Sequence, residues 1–476
     1  MARRRKPFPL FENVEIIDAG SEGKAVARID DKVIFVPFVM PGDIIDIQVT
    51  KKKKSFYEGK AMKFHKLSED RVEASCKHFG LCGGCKWQHM PYEKQLFYKQ
   101  KQVVDNVERI GKFPYPSIQP IIGSEKQFYY RNKLEFTFSD RKWFTEAPKK
   151  EGEKNPNANG LGFHLPGMFD RILDIDHCWL QESPSNEIRL ALRDYATEKG
   201  YTFYNARNWE GLMRNVVVRS SSTGELMVIV IVLKNEKEAI QDIMSYLESK
   251  FPQITSLMYV VNEKKNDSYS DLPVQLFKGN PFIMENMKAG VEGEEDLKFK
   301  IGPVSFYQTN SAQAYNLYKK ALECAKLKKE DTVYDLYTGT GTIANFVARS
   351  AKKVVGIEYI PEAIEDAKEN SKINNIDNTV FYAGDMVKVL NDEFITANGK
   401  PDVIITDPPR AGMHEKVVRQ IMRVNPERIV YISCNPATQA RDVALLTEKY
   451  EVEEIQPVDM FPQTHHVENI ISLIRK

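Results

Sequence analysis

Only six cysteines are spread over 476 residues, too few for a disulfide scaffold in a chain of this size. Long apolar runs are also missing. The longest, residues 226–233, has eight residues, which suits a buried strand and falls far short of the ~20 needed to span a bilayer. Net charge is nearly absent: 67 Lys and Arg face 66 Asp and Glu, leaving +1, which alone neither favours nor excludes a polyanionic partner. No apolar segment follows Met1-Ala-Arg-Arg-Arg-Lys6, so secretion is not expected and a cytoplasmic location is. No repeat of solenoid period is visible, and a monomer is expected.

What is present is uneven. Arg3, Arg4, Arg5 and Lys6 open the chain, and Lys51 to Lys54 form a second run followed by Lys60, Lys63 and Lys66. Such runs attract phosphates even on a neutral molecule. Three of the cysteines cluster, in Cys76-Lys-His-Phe-Gly-Leu-Cys82-Gly-Gly-Cys85, and clustering of this kind favours a metal over a disulfide. From chemistry alone, zinc and iron–sulfur both remain open. Paired Cys-x2-Cys hairpins, the usual zinc pattern, are not seen.

Periodicity divides the chain into a multidomain α/β protein. Residues 1–66 read as a small OB-type β barrel, with strands expected at 14–18, 24–29, 32–36, 43–50 and 56–64. Residues 67–300 read as a central α+β domain, with a helix over 92–110, strands over 128–138 and 216–233, and a mobile loop over 146–160. Residues 301–476 alternate strand and helix and predict a doubly wound, Rossmann-like sheet. A helix over 310–327 precedes strands at 333–337, 353–358, 379–383, 402–406, 429–433 and 468–474.

The first of those strands runs into Asp335-Leu-Tyr-Thr-Gly-Thr-Gly-Thr342, where two glycines permit close backbone approach to a ligand. Glu358 ends the second strand, 23 residues beyond Asp335, where an acid can accept ribose hydroxyls. Asp385 ends the third and is placed to reach an adenine edge. This order of acid, glycine loop, acid and acid resembles the class I S-adenosylmethionine methyltransferases.

Two further strand ends carry reactive groups, Thr406-Asp-Pro-Pro-Arg410 and Ser433-Cys-Asn-Pro436. Amino-group methylation would not require Cys434; carbon methylation of a pyrimidine would. Uracil C5 is a poor nucleophile until a thiolate adds at C6, and a base must afterwards remove the C5 proton. Glu468, in Thr464-His-His-Val-Glu-Asn469, is the candidate base, with His465 and His466 as rivals.

At this point residues 300–476 resemble the RNA 5-methyluridine methyltransferase family, through Phe306-Tyr-Gln-Thr-Asn310, the Asp335 loop, Thr406-Asp-Pro-Pro-Arg-Ala-Gly412, Ser433-Cys-Asn-Pro436 and His466-Val-Glu-Asn469. The resemblance implies Cys434 as nucleophile, Glu468 as proton acceptor, and Gln308, Tyr337, Glu358, Asp385 and Asp407 as S-adenosyl-L-methionine contacts. The N-terminal barrel resembles the TRAM domain, an RNA-binding module. The cysteine cluster resembles the [4Fe–4S] site of the ribosomal-RNA branch, which implies Cys76, Cys82, Cys85 and Cys178 as ligands and 23S ribosomal RNA as partner. A transfer-RNA uracil-C5 methyltransferase and an RNA-binding protein with an inactive methyltransferase domain are the alternatives. A radical S-adenosylmethionine enzyme would need Cys-x3-Cys-x2-Cys, and the spacing here is five then two.

Overall fold

The computed structural model describes residues 8–144 and 158–476. The arginine run at the start and most of the expected 146–160 loop lie outside the described residues.

Six strands form the N-terminal sheet: β1 (Leu10–Glu15), β2 (Asp18–Ala19), β3 (Lys24–Ile29), β4 (Lys32–Pro37), β5 (Ile44–Lys52) and β6 (Phe56–Lys66), in the order β1-β5-β6-β4-β3-β2. Alternation puts Ala25, Ala27, Ile34, Val36, Ile45, Ile47 and Val49 on one inner face, where they make a single apolar cluster with Ile16. The outer face keeps Lys52, Lys53, Lys54 and Lys60 exposed.

Helix α1 (Tyr92–Asn106) follows the cysteine-bearing loop and ends in a π turn at Val107–Gly111. The central sheet comprises β7 (Lys133–Ser139), β8 (Gly160–His164), β9 (Ile172–Asp174), β10 (Met213–Ser220), β11 (Leu226–Val232), β12 (Ser256–Val261) and β13 (Val274–Gly279). Its order is β13-β12-β11-β10-β7-β8-β9. The eight-residue apolar run accounts for β11, which is covered on both faces and buried throughout. Helices α2 (Ser185–Glu198) and α3 (Lys237–Lys250) cover one face. A hairpin of β14 (Ile283–Met287) and β15 (Leu297–Ile301) comes next. It is tied to the following module by Asn370 and Asn374, whose Oδ1 atoms accept from the backbone N of Lys300 and Lys298 at 2.8 and 2.7 Å.

The last module opens with α4 (Ser311–Ala325) and continues through β16 (Thr332–Leu336), α5 (Thr342–Ala348), β17 (Lys353–Glu358), α6 (Pro361–Ile373) and β18 (Thr379–Ala383). Then come α7 (Met386–Val389), α8 (Asp392–Asn398), β19 (Val403–Thr406), α9 (Glu415–Val424), β20 (Arg428–Ser433), α10 (Pro436–Leu446), β21 (Tyr450–Val458) and β22 (Glu468–Arg475). The sheet order is β18-β17-β16-β19-β20-β22-β21. Strands β16 to β20 are parallel; β22 runs antiparallel to both β20 and β21. Parallel strands covered on both faces read as unbroken apolar runs, which is why Val403–Thr406 and Arg428–Ser433 are buried at every position. The chain order reverses at β16, and the crevice beyond the carboxyl ends of β16 and β19 is where such sheets bind ligands. Strand β21, absent from the sequence reading, completes this sheet.

Candidate active site

The strand ends bring together most of the residues singled out above. After β16 the backbone turns sharply: Tyr337, Gly339 and Gly341 have φ of +64°, +54° and +75°. A Cβ at Gly341 would lie 2.9 Å from the Ala367 Cβ, so glycine there lets α6 close on the loop; a Cβ at Gly339 would meet nothing within 4 Å. The loop therefore presents bare backbone to open space. Glu358 braces it, accepting from Gly339 N at 3.2 Å with one oxygen and from Tyr359 N and Ile360 N at 2.7 and 3.1 Å with the other. Phe306 and Tyr359, 69% and 68% exposed, leave apolar surface at the rim.

Asp335 is buried and accepts from the Thr338 hydroxyl; burial, opposed by that hydrogen bond, pushes its carboxyl up to about 7. Asp407, just past β19, is likewise raised to about 7 by burial. Gln308 is buried and bonded to the Tyr318 hydroxyl of α4, on which Asp407 exerts the largest of the neighbouring charge effects. The Gln308 carbonyl accepts from Asn132 Nδ2 at 2.9 Å, so the central domain holds this segment in place. Asp385 instead caps α7, accepting from Val387 N at 2.9 Å. A local backbone role thus accompanies the one expected of it.

Cys434 and Glu468 are brought side by side by register. Ser433 pairs with Asn469 across β20 and β22, so one further step sets Cys434 opposite Glu468. Gln439 of α10 locks that register, donating to Tyr431 O at 2.8 Å and Asn469 O at 2.9 Å. The Asp407-Pro-Pro-Arg410 loop is fixed to the same place, with the Arg410 carbonyl accepting from Asn435 Nδ2 at 2.9 Å and Thr438 Oγ1 at 3.2 Å.

The electrostatics of this cluster are those of a dry site. Burial, then the neighbouring Glu468 and Asp407, push the half-buried Cys434 thiol up to about 12, with Arg410 acting in the opposite sense. Burial, then Asp407, hold Glu468 well above the usual carboxylate range. The two histidines go the other way: burial lowers His465 to about 4 and His466 to about 3, with Arg410 and other nearby cations adding to it. A group that weakly basic accepts a proton poorly, so Glu468 is the better base of the three.

Glu468 follows a strap, Asp459 to Val467, that the central domain clamps. Lys99 and Asp459 form a fully buried ion pair at 2.6 Å, and Tyr92 donates to the same carboxylate at 2.9 Å. Gln95 and Gln463 exchange two hydrogen bonds, of 3.0 and 2.9 Å. Lys86 N and Trp87 N donate to Gln463 O.

Cys76, Cys82, Cys85 and Cys178 line one cavity of about 240 Å³, together with Thr464 of the strap. Burial first, then the other thiols of the group, raise Cys85 to about 12, although Gln88 opposes this. Cys178 is raised to about 11, chiefly by burial. No three His, Cys, Asp or Glu among the described residues are placed to hold one metal ion. A single tetrahedral zinc would draw its sulfurs to roughly 3.8 Å of one another. Cys324 sits apart in α4, its thiol 3.6 Å from Glu454. The sequence reading assigned no role to Arg410 or Tyr318, whose proximity to Cys434 and Asp407 arises only from the packing of distant segments.

The sheet order and the strand-end acids are those of a class I methyltransferase. The tRNA (uracil-5-)-methyltransferase family matches residues 275–476 and the TRAM domain residues 12–62. Uncharacterized RNA methyltransferases are similar along nearly the whole chain. That of Bacteroides thetaiotaomicron is 57% identical over 456 residues, 95% of this chain and 99% of its own. That of Halalkalibacterium halodurans is 36% identical over 478 residues, 99% of each. The crystal structure of Pyrococcus abyssi tRNA (uracil-54, C5)-methyltransferase with S-adenosyl-L-homocysteine is 29% identical, with a TM-score of 0.74, and covers 97% of this chain and 100% of its own. The chain belongs to the uracil-5 RNA methyltransferase family and carries a TRAM domain. Among the described residues no helix is long and apolar enough to cross a membrane.

Proposed function

We propose that this protein methylates C5 of a uridine in RNA with S-adenosyl-L-methionine as donor. Cys434 is the nucleophile, and Glu468 takes the proton. The observation that carries the reading is the register that sets Cys434 against Glu468 beside Asp407 and Arg410. The Cys434 thiol first gives up its proton to solvent; the thiolate sulfur then adds to C6, and the electron pair of the C5–C6 double bond moves toward C5. Bound S-adenosylmethionine supplies the methyl group that C5 takes up. Glu468 then removes the C5 proton, the double bond re-forms, and the C6–S bond to Cys434 breaks. Gln308, Tyr337, Glu358, Asp385 and Asp407 hold the donor; the open backbone at Gly339 and the raised Asp407 carboxyl fit a cationic ligand.

The four thiols around one cavity fit a [4Fe–4S] cluster, which when bound would crosslink the loop of Cys76, Cys82 and Cys85 to Cys178. Ligation requires thiolates, and neighbouring iron would offset the burial that raises Cys82, Cys85 and Cys178. Protein purified anaerobically is expected to hold roughly four irons per chain. Zinc at one per chain, without iron, would refute the cluster.

Twenty-three-S ribosomal RNA is the proposed substrate, on the resemblance of barrel and cluster to the ribosomal-RNA branch. The Pyrococcus abyssi structure favours transfer RNA as a second reading. Methyl transfer to each RNA, followed by mass spectrometry of the modified nucleotide, separates the two. Glu468→Gln should stall after methyl transfer and leave a denaturant-resistant protein–RNA adduct. Normal turnover of that variant, with the adduct appearing in His466→Ala instead, would show the base to be misassigned.

A further inference from the structure

The central domain has a second cavity, remote from the strand ends of the catalytic sheet. It encloses about 380 Å³ at the far end of β7 and is lined by His164, Phe169, Tyr204, Trp209 and Lys265. That volume lies within the range of small-ligand sites. Phe169 is 69% and Trp209 47% exposed, a large aromatic area to leave in water. Two polar groups in the wall are unsatisfied: His164 Nδ1 and the hydroxyl of the buried Tyr204 have no hydrogen-bond partner among the described residues. Buried polar atoms normally have one, so the wall holds unfilled hydrogen-bonding capacity next to two exposed rings, although both atoms are closed off from solvent as the wall stands.

Charge points the same way. Asp170 is matched by both Arg141 and Arg207, and Asp267 by Arg214. Lys265 has no carboxylate partner among the described residues and lies over the Trp209 ring, 3.8 Å from its centroid. A shallower cavity shares Asp267 and continues past Glu135 and Lys133 to Val304. Val304 is two residues from Phe306, whose carbonyl accepts from Thr340 of the glycine loop at 3.4 Å. Along β7 this path covers about 20 Å.

Aromatic faces beside a cation that no carboxylate neutralises, at the end of a groove, are the chemistry that holds single-stranded nucleic acid. We propose that this cavity is an accessory nucleotide subsite. One unstacked base of the RNA substrate rests on Phe169 and Trp209, Lys265 swings from the Trp209 ring to the adjoining phosphate, and a small shift of the wall turns His164 and Tyr204 toward the polar edge of the base. The inference rests on the RNA-methylating reading above and adds to it a second point of grip. It gives the enzyme a preference for targets with an unpaired nucleotide at a fixed reach from the modified uridine.

The test uses the full chain, a short single-stranded RNA of mixed sequence, and uridine 5′-monophosphate. Phe169→Ser removes an exposed ring. Trp209→Asn removes the other while keeping a residue that tolerates the φ of +58° found there. Each should weaken RNA binding about tenfold, the loss of one base–aromatic stack. Both should raise KM for RNA far more than they change kcat, and neither should flatten the salt dependence. Lys265→Ala should instead lower the salt slope by about one. Tryptophan fluorescence quenched by RNA in the wild type should be reduced in Trp209→Asn. RNA affinity within twofold of wild type in both aromatic variants overturns the subsite, including the case in which the mononucleotide alone still quenches Trp209. Wild-type protein that fails to methylate any RNA would overturn the function proposed above, and the subsite with it.

Discussion

Replacing Asp407 with asparagine tests how the site accepts a cationic methyl donor. Burial holds the Asp407 carboxyl at about 7 instead of its ordinary 3.8, so near neutral pH a proton occupies half of the free sites. A sulfonium favours the carboxylate, and the proton must leave as the donor binds. With only the ionised fraction competent, about 9% at pH 6 and about 91% at pH 8, Kd should be roughly tenfold weaker at pH 6. S-adenosylhomocysteine, a neutral thioether, should show little of this slope. Asp407→Asn should remove the slope and cost roughly 10- to 100-fold in affinity for the donor, the loss of a partly desolvated charge–charge attraction to the sulfonium. The stability linkage has a definite sign as well. The folded pKa lies above the unfolded one, so the stabilisation is complete below about 3.8 and is lost as pH rises through about 7. Asp407→Asn should therefore melt above wild type at pH 8 and not at pH 5. Calorimetric titration of both ligands from pH 6 to 8 in buffers of different ionisation enthalpy reads binding and proton release together. A flat wild-type profile, or the full slope persisting in Asp407→Asn, would refute the argument.

Cys434→Ala should abolish methylation while donor affinity stays near wild type, because the thiol acts on the base. RNA with 5-fluorouridine at the target should trap a covalent adduct only when Cys434 is present; residual turnover above a few per cent would remove its assignment as nucleophile. Lys99→Ala leaves Asp459 charged and unpaired in a fully buried site, at a cost of about 3–5 kcal/mol. Thermal unfolding of Lys99→Ala beside the double replacement Lys99→Met with Asp459→Leu checks this, since the apolar pair should recover much of the loss.

The sequence made the catalytic sheet legible where physics leaves few choices. Strands covered on both faces must be apolar throughout, so β16, β17, β19 and β20 announce themselves, and their carboxyl ends locate Asp335, Glu358, Asp407 and Cys434. Edge strand β21 was missed because Glu451, Glu453 and Glu454 break its apolar pattern. Glu453 and Glu454 are spent on ion pairs with Arg428, Lys326 and Lys320, not on burial. The reading of Cys434 and Glu468 rested on motif order, and only the antiparallel register explains why residues 34 apart in sequence face one another. The clamp from Gln95 and Lys99 to the strap, and the cavity joining Phe169 to Trp209, depend on contacts between distant segments. No local pattern encodes such contacts.

The electrostatics explain how this site can carry a nucleophile without exposing it. Burial and the neighbouring carboxylates push the Cys434 thiol up to about 12, so it rests protonated near neutral pH, and a thiol is inert to electrophiles in that form. The same enclosure holds the Glu468 carboxyl well above the usual carboxylate range. On the proposed function, a sulfonium held near Asp407 would favour the ionised forms of Asp407 and Glu468, and a Glu468 carboxylate would then be available to receive a proton. Arg410 is the resident cation acting on both Cys434 and Glu468, and its loop is bound to the first turn of α10 through Asn435 and Thr438. The charge that favours the thiolate is thus fixed to the helix that begins beside it. On the proposed reading, the donor's positive charge and Arg410 would together oppose the two carboxylates at Cys434, and the uridine ring would give the charge on sulfur somewhere to go.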